Sequence, residues 1–223
     1  MDDQTGRQTS GSARLRADRP FRGIGSPEPW PLQLRDLTVV SFSVVFDAGV
    51  PVRHFPAALR PARPASGGFE FVVGHWGQAW PPIAMATIWA DLDPPHGDAA
   101  APRFILSRLT SRQSADDPLA RVAITIRDEA QGLHLELRCG QRLVITAALA
   151  PTGAALPAAG VSRYVDPDHG GHVVPWSADL VDARPLSLQV LDRGLVDLQP
   201  QEVFAASLAV RAAMTLGWHD GAG

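Results

Sequence analysis

Arg121, His134, Glu136 and Arg138 are the ionisable residues whose spacing best suggests chemistry. Residues 121–127 and 133–138 alternate apolar and polar side chains on either side of the turn "DEAQG", which is the pattern of a β-hairpin. Val122, Ile124 and Ile126 then share one face with Leu133, Leu135 and Leu137. Matching those apolar faces puts Thr125 opposite His134, Ala123 opposite Glu136 and Arg121 opposite Arg138, with Glu136 diagonal to Arg121. A guanidinium at Arg121 or Arg138 can bind a carboxylate or an enolate oxygen. Glu136 or His134 can take up and return a proton. Enclosed in a cavity, such a set is an acid–base site. A hairpin with one wet face alternates in the same way, and its polar residues then meet only water.

Other residues carry weaker signals. "GHWGQAW" sets His75, Trp76 and Trp80 beside glycines. Tryptophans so placed line an apolar ligand pocket, or pack as core or oligomer contacts. Tyr164 is the single tyrosine and can donate to a carbonyl or to a structural partner. "DPDHGGH" (166–172) offers Asp166, Asp168, His169 and His172, which are metal-ligand types. The helical H-E-x-x-H frame is absent, and a turn rich in Asp and Gly explains the same letters, so no metal and no cofactor are expected. Cys139 is the one cysteine and reads as core packing. No glycine-rich phosphate loop follows a strand, and no G-x-S-x-G elbow is present.

The elements that must position these residues are mostly strands. "TVVSFSVVF" (38–46) is apolar on both faces, and "GFEFVVGHW" (68–76) alternates. "IAMATIWADL" (83–92), "RFILSRLT" (103–110) and "QRLVITAAL" (141–149) continue the series. "VPVRHFPAAL" (50–59) has room for one helical turn, and "PTGAALPAAG" reads as a loop. "SRYVDPDHGGHVVPW" gives two extended pieces around a turn, and "LSLQVLDRGLVDL" gives strands broken at Asp192 to Gly194. The Ala-rich "VFAASLAVRAAMTL", opened by Pro200 and Glu202 and closed by Gly217, predicts a C-terminal helix. Residues 1–26 are polar and without period, which predicts a disordered tail; 27–217 form one domain, and 218–223 a short C-terminal tail.

Composition sets the outer limits. The 223 residues, 45% of them hydrophobic, suffice for one sizeable core. A net charge of −3 gives no electrostatic case for nucleic acid. No run of about 18 apolar residues suggests a membrane span, and no apolar h-region follows the N-terminal arginines. A cytoplasmic protein is expected, in keeping with the lone cysteine. All 20 basic residues are arginine. Without a lysine amine these residues cannot form the usual Schiff base with a carbonyl, because arginine stays protonated and is no nucleophile.

Taken in order, the pieces resemble the acetoacetate decarboxylase family. "PEPWPLQLRDLTVVSF" resembles the opening "PPPW-x-L-x-G…F", and "VPVRHFPAALRPA" the segment "LP-x-x-L". "TIWADL" is similar to the central strands, "GLHLELRCGQRLVI" to the stretch that leads to "R-x-G", and "LVDLQPQEVFAASLAV" to the closing "L…P…EV". The similarity covers roughly residues 27–216. It implies a cone-shaped antiparallel β-barrel around a buried cavity, closed by the C-terminal helix, in a homo-oligomer.

The family's decarboxylases use a lysine in "G-F-P-K-K", a second lysine beside it and a glutamate in "P-Y-x-E". Here "DDPLAR" is the best match to the first motif, with Pro118 kept and Ala120 and Arg121 at the lysine positions. "WPPIAM" matches the second, with Ala84 or Met85 in the glutamate's place. "LTSRQS" stands where glycine, arginine and glutamate precede the lysines. The resemblance thus implies the barrel without the amine.

The resulting expectation is an enzyme acting without a Schiff base on a β-keto, enol or polyketide-like small molecule of the kind met in secondary metabolism. Its chemistry would be that of a lyase, dehydratase, isomerase or cyclase. Arg121, Glu136 and His134 would be catalytic; Arg138, Trp76, Trp80 and Met85 would bind substrate. The alternatives are a non-catalytic barrel for an apolar or acidic ligand, and a barrel that serves only as a scaffold.

Overall fold

The computed structural model describes residues 32–47, 49, 55, 59–75, 83–93, 102–111, 122–166, 170–194 and 196–216. The expected tails at 1–26 and 218–223 lie outside them, as does nearly all of the helical turn proposed at 50–59.

The described residues form ten strands. They are β1 (Leu32–Phe46), β2 (Ser66–His75), β3 (Ile83–Asp91), β4 (Arg103–Thr110), β5 (Val122–Glu129), β6 (Gly132–Cys139), β7 (Arg142–Pro151), β8 (Leu156–Asp166), β9 (Gly170–Val190) and β10 (Pro200–Leu216). They hydrogen-bond in the order β10-β1-β2-β3-β4-β8-β9-β7-β6-β5, and β10 pairs also with β9. That extra pairing closes β1, β2, β3, β4, β8, β9 and β10 into a ring. Every pairing is antiparallel except the short β4–β8 bridge, where Arg103 meets Tyr164 and Phe104 meets Val165.

The long strand β9 serves two sheets. Its first half pairs with β8 and β10, and its second half with β7, which carries β6 and β5 outward. The β5–β6–β7 layer packs on one face of the ring. Between them lies the main core, with Phe42, Phe46, Phe69, Phe71 and Ile88 from the ring against Leu135, Leu137, Ile145 and Leu149 from the layer. A ring of seven strands encloses little more than its own side chains, so a three-stranded layer lies outside it. The face turned away from the layer is therefore the inner one.

Bends help to close the ring. Asp36 (φ 54°) and Arg211 (φ 50°) sit in the left-handed region. Asp36 falls at the β1–β10 register shift between the pairs Leu34–Met214 and Leu37–Ala212, and Arg211 at the next one, between Leu37–Ala212 and Val39–Ala209. Bulges of this kind coil a strand pair.

The barrel expectation holds, but three local ones need correction. The C-terminal helix is strand β10. Alanine favours helix weakly, yet this segment finds β1 on one edge and β9 on the other. Around its middle it alternates buried Ala206 and Leu208 with less buried Ala205, Ser207 and Ala209. Two sets of ladder bonds and this burial outweigh propensity. The loop proposed for "PTGAALPAAG" is strand from Leu156, because Leu156 to Gly160 pair with Trp176 to Leu180 of β9. The β5–β6 hairpin pairs Thr125 with Glu136, Arg127 with His134 and Ala123 with Arg138, two residues from the expected register. Both registers keep the apolar residues on one face, so face matching alone cannot tell them apart. The turn at Ala130 and Gln131 decides.

Gly132 opens β6 with φ 135°, and a Cβ there would collide with the Leu149 carbonyl. Gly132→Ala is expected to destabilise the fold by about 1–3 kcal/mol, measured by denaturant unfolding.

Candidate active site

Strand β2 reads "GFEFVV". Phe69 and Phe71 are both 0% exposed in the main core. Alternation then sends Glu70 to the inner face. Registered partners on neighbouring strands lie side by side on one face. Ser207 on β10, Ser41 on β1, Glu70 on β2, Thr87 on β3 and Arg108 on β4 are successive partners of this kind. A polar row thus crosses five strands inside the ring.

A second group stands beside that row. Trp89 on β3 is registered with Gly68 on β2. A Cβ on Gly68 would collide with the indole, so the missing side chain is what lets the ring lie there. The Arg103 guanidinium carbon sits 4.6 Å from the Trp89 ring centre and 6.0 Å from that of Tyr164. Tyr164 hydrogen-bonds with Arg103 and Ser162. The cation is thereby held from two sides by aromatic rings.

Burial raises the Glu70 pKa above the ordinary glutamate value. Arg103, and after it Arg108, pull the other way, and burial wins. Glu70, Arg103 and Arg108 nevertheless keep partial accessibility. A carboxyl with a raised pKa beside two cations is suited to proton transfer next to a developing negative charge.

Tyr164 is pushed up to about 12, first by burial and then by the nearby Glu70, with Arg103 and the two hydrogen bonds offsetting part of the rise. It stays a proton donor at any working pH. Because it is the only tyrosine, absorbance titration of the phenolate reads it alone. The expected midpoint for the folded protein is about 12, falling to about 10 in denaturant.

The other acid–base cluster lies on β5 and β6. Glu136 accepts a hydrogen bond from Arg138 Nε at 3.2 Å and lies 3.8 Å from Arg127 and 3.9 Å from His134. The structure thus brings Glu136, His134 and Arg138 together, joined by Arg127, which the sequence reading did not single out. This face is turned away from the core, with Arg127 57% and Arg138 40% exposed. Arg121, Trp76 and Trp80 lie outside the described residues.

Met85 shares the inner face of β3 with Thr87, toward an apolar end formed with Leu34, Leu37, Val39, Val72 and Ile83. Cys139 packs in the main core. Burial, then Asp192, raise its thiol pKa, and Arg142 offsets part of that, so it stays protonated. Among the described residues no group of three His, Cys, Asp or Glu could hold a metal, and no helix is long and apolar enough to cross a membrane.

Comparison with known proteins agrees with the fold. No family model and no curated protein matches the sequence. Solved structures do match. An acetoacetate decarboxylase superposes with a TM-score of 0.59 at 14% identity, over 88% of this chain and 93% of that one. The acetoacetate decarboxylase of Legionella pneumophila gives 0.58 at 12% identity, over 87% and 91%. The enduracididine biosynthesis enzyme MppR complexed with pyruvate gives 0.58 at 14% identity, over 87% and 91%. The chain has the acetoacetate decarboxylase-like β fold.

Proposed function

We propose that this protein is a small-molecule enzyme that moves a proton on an oxo acid without forming a Schiff base. Glu70 is the acid–base group. As carboxylate it takes a proton from the carbon beside the substrate carbonyl; that C–H bond breaks and its electron pair moves to the carbonyl oxygen. The resulting enolate oxygen faces Arg103 or Arg108, with the Tyr164 hydroxyl as a further donor, and Glu70 returns the proton. Arginine on the inner face also suits the substrate carboxylate. The observation that carries this reading is the placing of Glu70 on the inner face of a closed ring, in one polar row with Ser41, Thr87 and Arg108; the upward push of burial on its pKa, opposed by Arg103 and Arg108, supports it.

Two comparisons support the substrate class. One similar fold is an acetoacetate decarboxylase and another binds pyruvate. Both ligands are oxo acids with acidic C–H bonds. With no lysine in the 223 residues, such a bond must here be loosened by non-covalent charge stabilisation. Enolisation is the first step common to lyase, dehydratase, isomerase and cyclase chemistry on these substrates.

The test is hydrogen exchange. The protein is incubated in D2O with pyruvate or acetoacetate, and proton NMR follows loss of the signals beside the carbonyl. Exchange well above the buffer rate supports the reading. Binding without exchange would instead support a ligand-binding barrel. Exchange that survives loss of Glu70 but not loss of Glu136 would place the chemistry on the β5–β6 hairpin.

A further inference from the structure

Arg103 and Arg108 are five residues apart on β4. In a regular strand an odd spacing sends two side chains to opposite faces. The register prevents that here. Ser107 pairs with Ile88 and Ile105 with Trp89, so the ladder passes over Leu106. Five steps on β4, from 103 to 108, thus match four on β3, from 91 to 87, and both arginines come to the inner face. The same bulge brings Phe104 and Leu109 to the core side, opposite Ala90 and Ala86. Bulges next to active sites re-aim side chains in this way.

Side chains two residues apart share a face and stand about 7 Å apart along the strand. Arg108 stands in the row of Thr87 and Glu70. Arg103 starts two rows further on, beside Asp91, but its guanidinium reaches back over Trp89, one row from Glu70. Burial apart, Arg103 is the group that acts most on Glu70. Its place is fixed from both sides. Trp89 is 4% exposed and fills the gap left by Gly68, and Tyr164 adds a second ring and a hydrogen bond.

We infer that the two arginines divide the recognition of an oxo acid: Arg108, in the row of Glu70, takes the carbonyl oxygen, and Arg103, set by Trp89, takes the carboxylate. A guanidinium stacked on a ring keeps its edge for a bidentate carboxylate. Trp89 is then a positioning residue that selects acids over neutral carbonyl compounds. This inference rests on the reading of the inner face as an oxo-acid site.

The test compares pyruvate with its neutral amide, pyruvamide, on the full chain. Binding is read by calorimetry, so the result does not depend on turnover. Wild type should bind pyruvate at least about tenfold more tightly, the worth of one charge-assisted pair. Arg103→Gln and Trp89→Leu should each remove most of that preference by weakening pyruvate alone. Trp89→Phe keeps a ring and should retain it. Arg108→Gln should weaken both ligands alike. Circular dichroism checks folding, and Arg103→Gln decides the matter if Trp89→Leu does not fold. A wild type that binds both ligands equally or neither, a preference that survives Arg103→Gln, or a folded Trp89→Leu that weakens both alike would overturn the assignment. Exchange without the preference sinks this inference alone; the preference without exchange sinks only the catalytic reading.

Discussion

Glu70→Gln is expected to lower catalysed exchange by about 10²–10⁴-fold, the usual worth of a positioned acid–base group. Glutamine keeps the shape and can still hydrogen-bond, but it cannot take a proton. Ligand binding through Arg103 and Arg108 should survive, so the loss falls on kcat rather than KM. The wild-type pH profile gives a second reading of the same residue. Exchange needs the carboxylate, so activity rises with pH as Glu70 ionises. Burial raises that pKa, and the rise must therefore come above the ordinary glutamate range. Tyr164 sets no opposing limb at ordinary pH, because it ionises only at about 12. Full activity in Glu70→Gln, or a profile flat through the range above ordinary glutamate values, would remove Glu70 from the chemistry.

Much of the scaffold was legible because strands write their burial with a period of two. The apolar face of the β5–β6 hairpin follows from that pattern, although its register does not. Alternation fixes which face a side chain takes but not which partner it meets. The Ala-rich segment 200–216 was misread because its composition suits both states, and only β1 and β9, distant in sequence, select the strand. The candidate site was harder to see for the same reason. Ser41, Glu70, Thr87, Arg108 and Tyr164 come from five strands and meet only by pairing across the sheet. One local signal was present: a single carboxylate inside the apolar run "GFEFVV", between two phenylalanines committed to the core. A charge there has no burial partner in its own strand and requires one across the sheet. The hairpin cluster around Glu136 drew attention because its members are close in sequence, and proximity in sequence is no guide to enclosure.

Residues 70 and 71 face opposite sides of the same strand, so stability and chemistry should separate between them. Phe71 is fully buried and meets Phe42 edge-on, with ring centres 6.3 Å apart at 82°. Phe71→Ala removes that contact and leaves a cavity between the ring and the β5–β7 layer, at a cost of about 3–5 kcal/mol. Against a typical total of about 5–15 kcal/mol, that is a large part of the stability, and denaturant unfolding should show it directly. Glu70→Gln should do the reverse. With its folded pKa raised, Glu70 holds its proton in the fold after the unfolded chain has lost it. Stability therefore falls as pH rises from the ordinary glutamate range to the raised value, and stays lowered above it. Glutamine carries no such penalty. The stability curves of wild type and Glu70→Gln should run together at low pH and diverge as pH rises, with the variant the more stable. A variant less stable than wild type at neutral pH would mean that the carboxylate is held by its arginines more strongly than burial opposes it. The inner face would then be a structural ion-pair network rather than a site poised for proton transfer.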